Sequence, residues 1–342
     1  MTVTVEPFSG APADWDRLVG TAPGGTHFHR IAWLDVIRRV HGHEGLALAA
    51  RTPQGALAGI LPLVFVRSLI FGRYLVSMPF LNYGGPLGTD EAVRALADDA
   101  VRRGRESGVK LLELRSRRSL PLDLPVSHRK VTALLDLPPG SPEVLWDAYA
   151  PKMRTKIRRP QKDGVAMRFG GDQLEPFFRI FAHHMRDLGT PTQPLAFFRA
   201  IAEAFGDDVW FGCAWLGDVP IAAGCGFRWG DEFEITWSSA LTEYRHIKVT
   251  MFLFWSFIER AAREGLRVFN FGRSSPGSGT HEFKKQWGTR DEQLWWYQDA
   301  PGGAAATPSP DQESYAWGPR IWKRLPRPVA NTLGPLIVRG IP

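Results

Sequence analysis

Apolar residues recur along this chain with two periods, and the switches between them mark out its elements. Thr2, Val3, Thr4 and Val5 alternate as a strand does, and positions 14–19 and 31–40 carry apolar residues at helical steps. Three strand-like runs follow at 46–50, 56–66 and 74–83, bounded by turn formers such as Pro53-Gln54-Gly55. Thr89-Asp90-Glu91 has the composition of a helix start, and that helix runs to Gly108. The runs 111–114 and 131–135 then read as the last strands of this half.

The order repeats in the second half. A strand at 165–169 precedes helices at 174–188 and 194–205 and strands at 209–216, 221–229 and 233–239. Gly217-Asp218 and Gly230-Asp231 separate the three strands as hairpin turns, since both residue types tolerate positive φ. Ile247, Met251, Phe254, Ile258 and Ala261 fall at three- and four-residue steps and define a helix over 245–264, capped by Gly265. A strand at 266–271, a Gly/Ser-rich loop at 272–279, a short helix at 280–287 and a strand at 292–297 follow. The 342 residues exceed what one core usually serves. The expected organisation is a domain at 1–150, a basic inter-domain segment at 151–163, a second domain at 164–299, and a linker and tail at 300–342.

Composition refines this picture. The net charge of +7 favours anionic partners. Cys213 and Cys225 lie in apolar strands, which predicts buried free thiols in a reducing, cytoplasmic setting, with a disulfide between neighbouring strands as the alternative. Residues 1–10 lack the basic-then-apolar order of a signal peptide, and the longest apolar runs fall far short of the roughly 20 residues of a membrane span. Residues 300–312, rich in Gly, Ala, Pro and Ser, read as a linker. Beyond Glu313 acidic residues cease, while Trp317, Arg320, Trp322, Lys323, Arg324 and Arg327 mix bases with indoles. That composition suits either a peripheral contact with the inner face of a membrane through 317–342 or a tail packed back on the protein.

Three stretches carry a family resemblance. They are Phe269-Asn270-Phe271-Gly272 followed by Phe283-Lys284-Lys285-Gln286-Trp287-Gly288, the segment 77–86 with Asn82-Tyr83-Gly84-Gly85, and His184-Met185-Arg186-Asp187-Leu188-Gly189. Together with the element order they resemble the FemAB-like and BioF2-like proteins of the GNAT superfamily, in particular the branch associated with exosortase and PEP-CTERM exopolysaccharide systems. The resemblance spans about residues 1–300. It implies an α+β fold of two tandem GNAT (acyl-CoA N-acyltransferase-like) domains, each a mixed, mainly antiparallel sheet flanked by helices. Two departures stand out: Asn270 replaces the group's usual Asp, and the stretch 244–251 before the long helix has none of the glycines that hold a CoA pyrophosphate.

Acyl transfer to an amine needs a deprotonated nucleophile, a donor held against it and a group that stabilises the oxyanion. Glu234, on an otherwise apolar strand, is the candidate base, with alternation placing Thr236 and Ser238 on its face and Trp237 beside it. Lys284 and His281 are the other catalytic candidates. Lys285, Arg273 and Asn270, around the Gly/Ser loop, are candidates for holding a phosphate or carboxylate. Lys152, Arg154, Lys156, Arg158 and Arg159 form the densest basic cluster, read either as a substrate-phosphate site or as a solvated helix face. Tyr83, before Gly84-Gly85, is a candidate for lining the acceptor cleft. His183 and His184 are adjacent, His27 and His29 lack a third ligand, and no metal site is expected.

The expected activity is an acyl- or aminoacyltransferase, resembling Fem-type peptidyltransferases, that forms an amide on an amine of an anionic saccharide or peptide precursor, lipid- or nucleotide-linked. An alternative is an N-acyltransferase of exopolysaccharide synthesis that uses acyl-CoA or acyl-carrier protein. A third, of another class, is a non-catalytic scaffold or binding module at the membrane. No permanently bound cofactor is expected; acyl-CoA, acyl-carrier protein and aminoacyl-tRNA are the candidate donors, tRNA is a candidate partner, and DNA is not.

Overall fold

The computed structural model describes residues 3–68, 71–301 and 317–341. Thr2 of the expected first strand and all but the first two residues of the expected linker at 300–312 lie outside this set. The first half runs β1 (Thr4–Pro7), α1 (Pro12–Thr21), α2 (Ala32–His41), β2 (Glu44–Arg51), β3 (Leu57–Ser68), β4 (Gly72–Val76), β5 (Leu87–Gly88), α3 (Asp90–Glu106), β6 (Leu111–Ser116), β7 (Val126–Ser127) and β8 (Val131–Asp136). Two helices, α4 (Pro142–Ala148) and α5 (Pro151–Lys162), lead into β9 (Val165–Phe169), α6 (Leu174–Leu188), α7 (Leu195–Phe205), β10 (Val209–Leu216), β11 (Val219–Trp229) and β12 (Glu232–Ala240). The chain continues through α8 (Val249–Arg263), β13 (Val268–Ser274), α9 (Gly279–Lys285), β14 (Arg290–Gln293), β15 (Trp295–Asp299), α10 (Trp317–Trp322) and α11 (Arg327–Val338).

Two sheets result, ordered β1-β2-β3-β4-β6-β15-β7, with β5 on β3, and β14-β8-β13-β12-β11-β10-β9. Each begins as an antiparallel meander and adds one parallel pair, β4 with β6 and β12 with β13. The halves then exchange strands. The run at 131–135, expected to close the first sheet, pairs antiparallel with β13 of the second, while β15 from the end of the second half pairs with β6 of the first. The Gly217 and Gly230 hairpins form as expected, both glycines at φ +58.

The layers follow from where the apolar faces point. Helix α3 covers the outer face of the first sheet with Val93, Leu96 and Ala100 against Leu61, Leu63 and Leu112. Helix α8 covers the outer face of the second with Leu253, Phe257 and Ile258 against Phe233, Ile235 and Phe269. Between the sheets, Trp33 of α2, Phe177 of α6 and Phe197 and Phe198 of α7 pack with Val64 and Val76 from one sheet and Cys213, Cys225 and Phe227 from the other. The third core is therefore common to both halves, and both cysteines are buried free thiols within it.

The tail packs back on the protein. Trp322 and Ala330 are buried, Arg186 donates to the Leu325 carbonyl at 3.0 Å, and His43 Nε2 donates to the Arg339 carbonyl at 2.5 Å. No helix among the described residues is long and apolar enough to cross a membrane.

The strand exchange has a measurable consequence. The buried Tyr297 of β15 accepts from Leu120 N at 2.7 Å and donates to Leu120 O at 3.1 Å. Tyr297→Ala is expected to cost about 3–5 kcal/mol in urea unfolding. It is also expected to speed amide exchange selectively in β6, some 180 residues earlier in the chain (|i−j| = 177 for the Leu120 contact). Unchanged exchange in β6 would contradict the pairing.

Candidate active site

Strands β12 and β13 pair only where Glu232–Glu234 meets Val268–Asn270, and beyond that point they part. The parting coincides with a bulge. Gly226 of β11 faces Ile235 while Cys225 faces Trp237, which leaves Thr236 as the extra residue. Gly226 permits this approach, because a Cβ there would lie 2.2 Å from the Glu234 carbonyl oxygen. The bulge also resets the alternation. Trp237 and Ser239 share the inner face with Glu234, and Thr236 and Ser238 do not, which corrects the face read from strict period two. Trp237 itself, partly buried, packs edge-on against Phe197, Phe198 and Phe227 of the shared core.

The inner face brings Glu234 against the first half. Its carboxylate accepts from the Asn82 amide and the Tyr83 hydroxyl. The segment carrying both was expected to continue a strand from 74 to 83, but the strand stops at Val76 and the chain folds into a loop with Met78 at φ 54 and Phe80 at φ 70. Left-handed backbone at two non-glycine residues is costly and persists only where the surroundings over-determine it. Here β6 does so. Ser77 N donates to Glu113 O, Arg115 N to Ser77 Oγ, the Arg115 guanidinium to Leu81 O, and Gly84 and Gly85 N both to Arg115 O. A Cβ on Gly85 would sit 2.7 Å from the Arg115 carbonyl. The two glycines expected to approach a ligand thus approach β6 instead.

Asn270 closes the cluster from β13. Its amide nitrogen reaches Tyr83 O at 2.9 Å, Glu232 at 2.8 Å and Glu234 at 3.1 Å, while its oxygen accepts from Thr132 at 2.6 Å and Gly272 N at 2.8 Å. An aspartate here would add a third negative charge beside Glu232 and Glu234. The amide instead donates to both, which is a physical reason for the departure at this position. Arg117 pairs with Glu232 at 2.9 Å and Glu292 at 2.8 Å and lies over the Tyr83 ring.

Burial pushes the Glu234 carboxyl up to about 7. The neighbouring charge of Glu232 adds to the rise, and the Tyr83 hydrogen bond, Arg117 and Asn82 oppose it. Burial also brings Lys284 down to about 7 against the pull of Glu234. Its ammonium donates to Gly272 O at 2.8 Å and Arg273 O at 3.0 Å, so it folds the loop after β13 back toward the cluster. A cavity of about 230 Å³ opens from Glu234 and Glu232, walled by Arg117, Thr26, His27, Phe28, Phe227 and Trp229. His27 and His29 lie on a 3-10 turn, not a strand, and His27 stacks on Phe227 at 4.3 Å.

The other expected residues fall elsewhere. His281 caps the α9 loop, accepting from Gly277 N at 3.2 Å and pairing with Asp291 at 3.0 Å. Lys285 donates to Thr289 O at 3.1 Å, whereas Arg273, its guanidinium over Trp296, stays within electrostatic reach of Glu234 and Tyr83. Helix α5 packs Met153 and Ile157 on the outer core beside α8, so its bases lie apart from Glu234. Arg154 pairs with Asp147, Arg158 covers Trp146, Arg159 pairs with Asp163, Lys156 reaches Gln286, and Lys152 is exposed. This segment joins the halves in sequence without lying between them in space. Asn82, Arg117 and Glu232 were not singled out from sequence; only Asn82, beside Tyr83 in the quoted motif, carried a signal.

A 3-10 turn at Thr242–Ile247 and Lys248 at φ 60 lead into α8. The helix amides and the exposed Arg245, His246 and Lys248 suit an anionic group, although no glycine lets the backbone wrap one.

The Glu234 cluster makes a prediction about stability. Its folded pKa lies above the ordinary value, so wild type loses stability as pH rises from the carboxyl range to about 7, and Glu234→Gln does not. The variant's advantage in urea unfolding is expected to grow by about 3 kcal/mol across that window. A difference that stays flat with pH would contradict the perturbed carboxyl.

No curated protein matches the chain in sequence. Residues 151–285 match the family described as "Acetyltransferase (GNAT) domain". Among solved structures the chain is similar to FemX, at 14% identity and TM-score 0.66 over 85% of this chain and 97% of that one. It is similar to the C-terminal domain of a protein assigned as a lysylphosphatidylglycerol synthetase from Agrobacterium fabrum, at 12% identity and TM-score 0.55 over 83% of this chain and 90% of that one. It is also similar to a tandem GNAT protein from the clavulanic acid biosynthesis pathway, at 13% identity and TM-score 0.53 over 87% and 98%. The two sheets with their flanking helices therefore form a pair of tandem GNAT-like domains.

Proposed function

We propose that this protein is an acyl- or aminoacyltransferase that forms an amide on an amine, with Glu234 as general base. The observation that carries the reading is a buried carboxyl, poised near neutrality at about 7, at the point where β12 and β13 part and at the foot of a cavity. A base is most effective when its pKa lies near the working pH. The amine enters the cavity as an ammonium ion between Glu232 and Glu234. Ionised Glu234 takes one proton, the free nitrogen attacks the donor carbonyl, the C–N bond forms as the donor's C–S or C–O bond breaks, and the nitrogen's second proton passes to the departing thiolate or alkoxide. Asn82, Tyr83 and Asn270 hold the carboxylate in place.

The acetyltransferase description of residues 151–285 favours an acyl-CoA donor, whereas the glycine-free approach to α8 favours acyl-carrier protein or aminoacyl-tRNA. The proposed acceptor is an amine on an anionic saccharide or peptide precursor, its charged part held outside the acid-lined cavity.

Single-turnover assays that pair each donor class with a panel of amines, read by mass spectrometry, test the reading. Amide formation is expected to rise with pH through about 7 as Glu234 ionises. Glu234→Gln is expected to lower it by roughly 10²–10⁴-fold. Tyr83→Phe removes a hydrogen bond that favours the ionised form, so its pH midpoint is expected to move upward. Equal rates in wild type and Glu234→Gln across that range would overturn the assignment.

A further inference from the structure

The C-terminal helices bury one side and leave another without a partner. Ala330 and Gly334 of α11 face the protein, with Gly334 lying against Thr192. Val329, Leu333 and Leu336, at i, i+4 and i+7, form a stripe on the exposed side, and Ile321 of α10 is exposed as well. Among the described residues, two more of the exposed large hydrophobics lie close by in the chain to groups that touch the tail. Leu188 precedes Gly189, which lies against Pro319, and Val219 precedes Pro220, which shares a cavity wall with Arg327.

The charge around this patch has one sign. Arg320, Lys323, Arg324, Arg327 and Arg339 are all exposed, and no acidic residue follows Glu313. None of the five forms an ion pair among the described residues, whereas arginines elsewhere on the surface, such as Arg38, Arg102, Arg199 and Arg263, sit on carboxylates. Beside the patch, a cavity of about 350 Å³ combines apolar Phe178, Ile180 and Leu241 with Arg179 and Arg327. An apolar stripe flanked by bases that form no ion pair among the described residues, with a small basic recess at its edge, matches a bilayer surface. Leu and Val enter the acyl boundary while the bases meet anionic headgroups.

We propose that α10 and α11 dock this protein peripherally on a membrane rich in anionic lipid, with Val329, Leu333 and Leu336 inserted and the five bases over the headgroups. The acyl-transfer reading is not required for this. Flotation of the full chain with phosphatidylglycerol-containing vesicles, compared with pure phosphatidylcholine vesicles, tests it. Binding is expected on the anionic vesicles only. It should fall at least tenfold at about 1 M salt, where screening shortens to about 3 Å. Leu333→Asp/Leu336→Asp and Lys323→Glu/Arg324→Glu should each fall at least tenfold at low salt, with circular dichroism and thermal midpoint showing that the fold is kept. If a variant fails to fold, the lipid and salt dependence of wild type decides alone. Absence of wild-type binding, equal binding to neutral vesicles, or a dimer that Leu333→Asp/Leu336→Asp makes monomeric would each overturn the proposal.

Discussion

One buried carboxylate sets the terms for the centre of this molecule. Taking Glu234 out of water is costly unless donors replace the lost solvation, and its donors come from two places: Asn82 and Tyr83 from the first half, Asn270 from the second. Neither half could satisfy the group alone. A second carboxylate, Glu232, sits close enough to raise the first, and Arg117 answers it with a guanidinium shared with Glu292. The balance leaves Glu234 neither firmly ionised nor firmly neutral, the condition a proton-transfer group needs.

Such a balance requires that the halves do not move against each other. The exchanged strands β8 and β15 tie each sheet to the other's chain, and the aromatic core of α2, α6 and α7 fills the space between them. A buried ion pair, Glu113 with Arg115 at 2.7 Å, anchors the loop that delivers Asn82 and Tyr83. Removing one partner from such a pair strands the other charge and costs far more than the pair contributes. The strained backbone at Met78 and Phe80 is affordable only because β6 grips the loop at several points.

Much of this was legible in the sequence where a residue's role follows from local period or turn chemistry. The meanders, the Gly217 and Gly230 hairpins and the amphipathic long helix all depend on neighbours in the chain. Glu234 stood out because a carboxylate on an apolar strand needs a reason, and Lys284 because of its motif. What could not be read depends on partners far away. Strand exchange leaves no mark in β8 or β15, since each is an apolar or mixed strand whichever sheet it joins. A bulge moves Trp237 onto the Glu234 face through one glycine at position 226, on another strand. The bases of α5 read as an inter-domain cluster because sequence order suggests a place between the halves, whereas Met153 and Ile157 fasten the helix to the outer core.

The proposed chemistry turns on the protonation of one side chain, and isotope-edited infrared titration observes it directly. With carboxyl-labelled glutamate, the protonated C=O band that disappears in Glu234→Gln identifies the group. The structure predicts that in wild type this band persists through mildly acidic pH and vanishes at about 7. Loss of the band near the ordinary glutamate value of about 4.3 would show a solvated carboxylate and contradict the account.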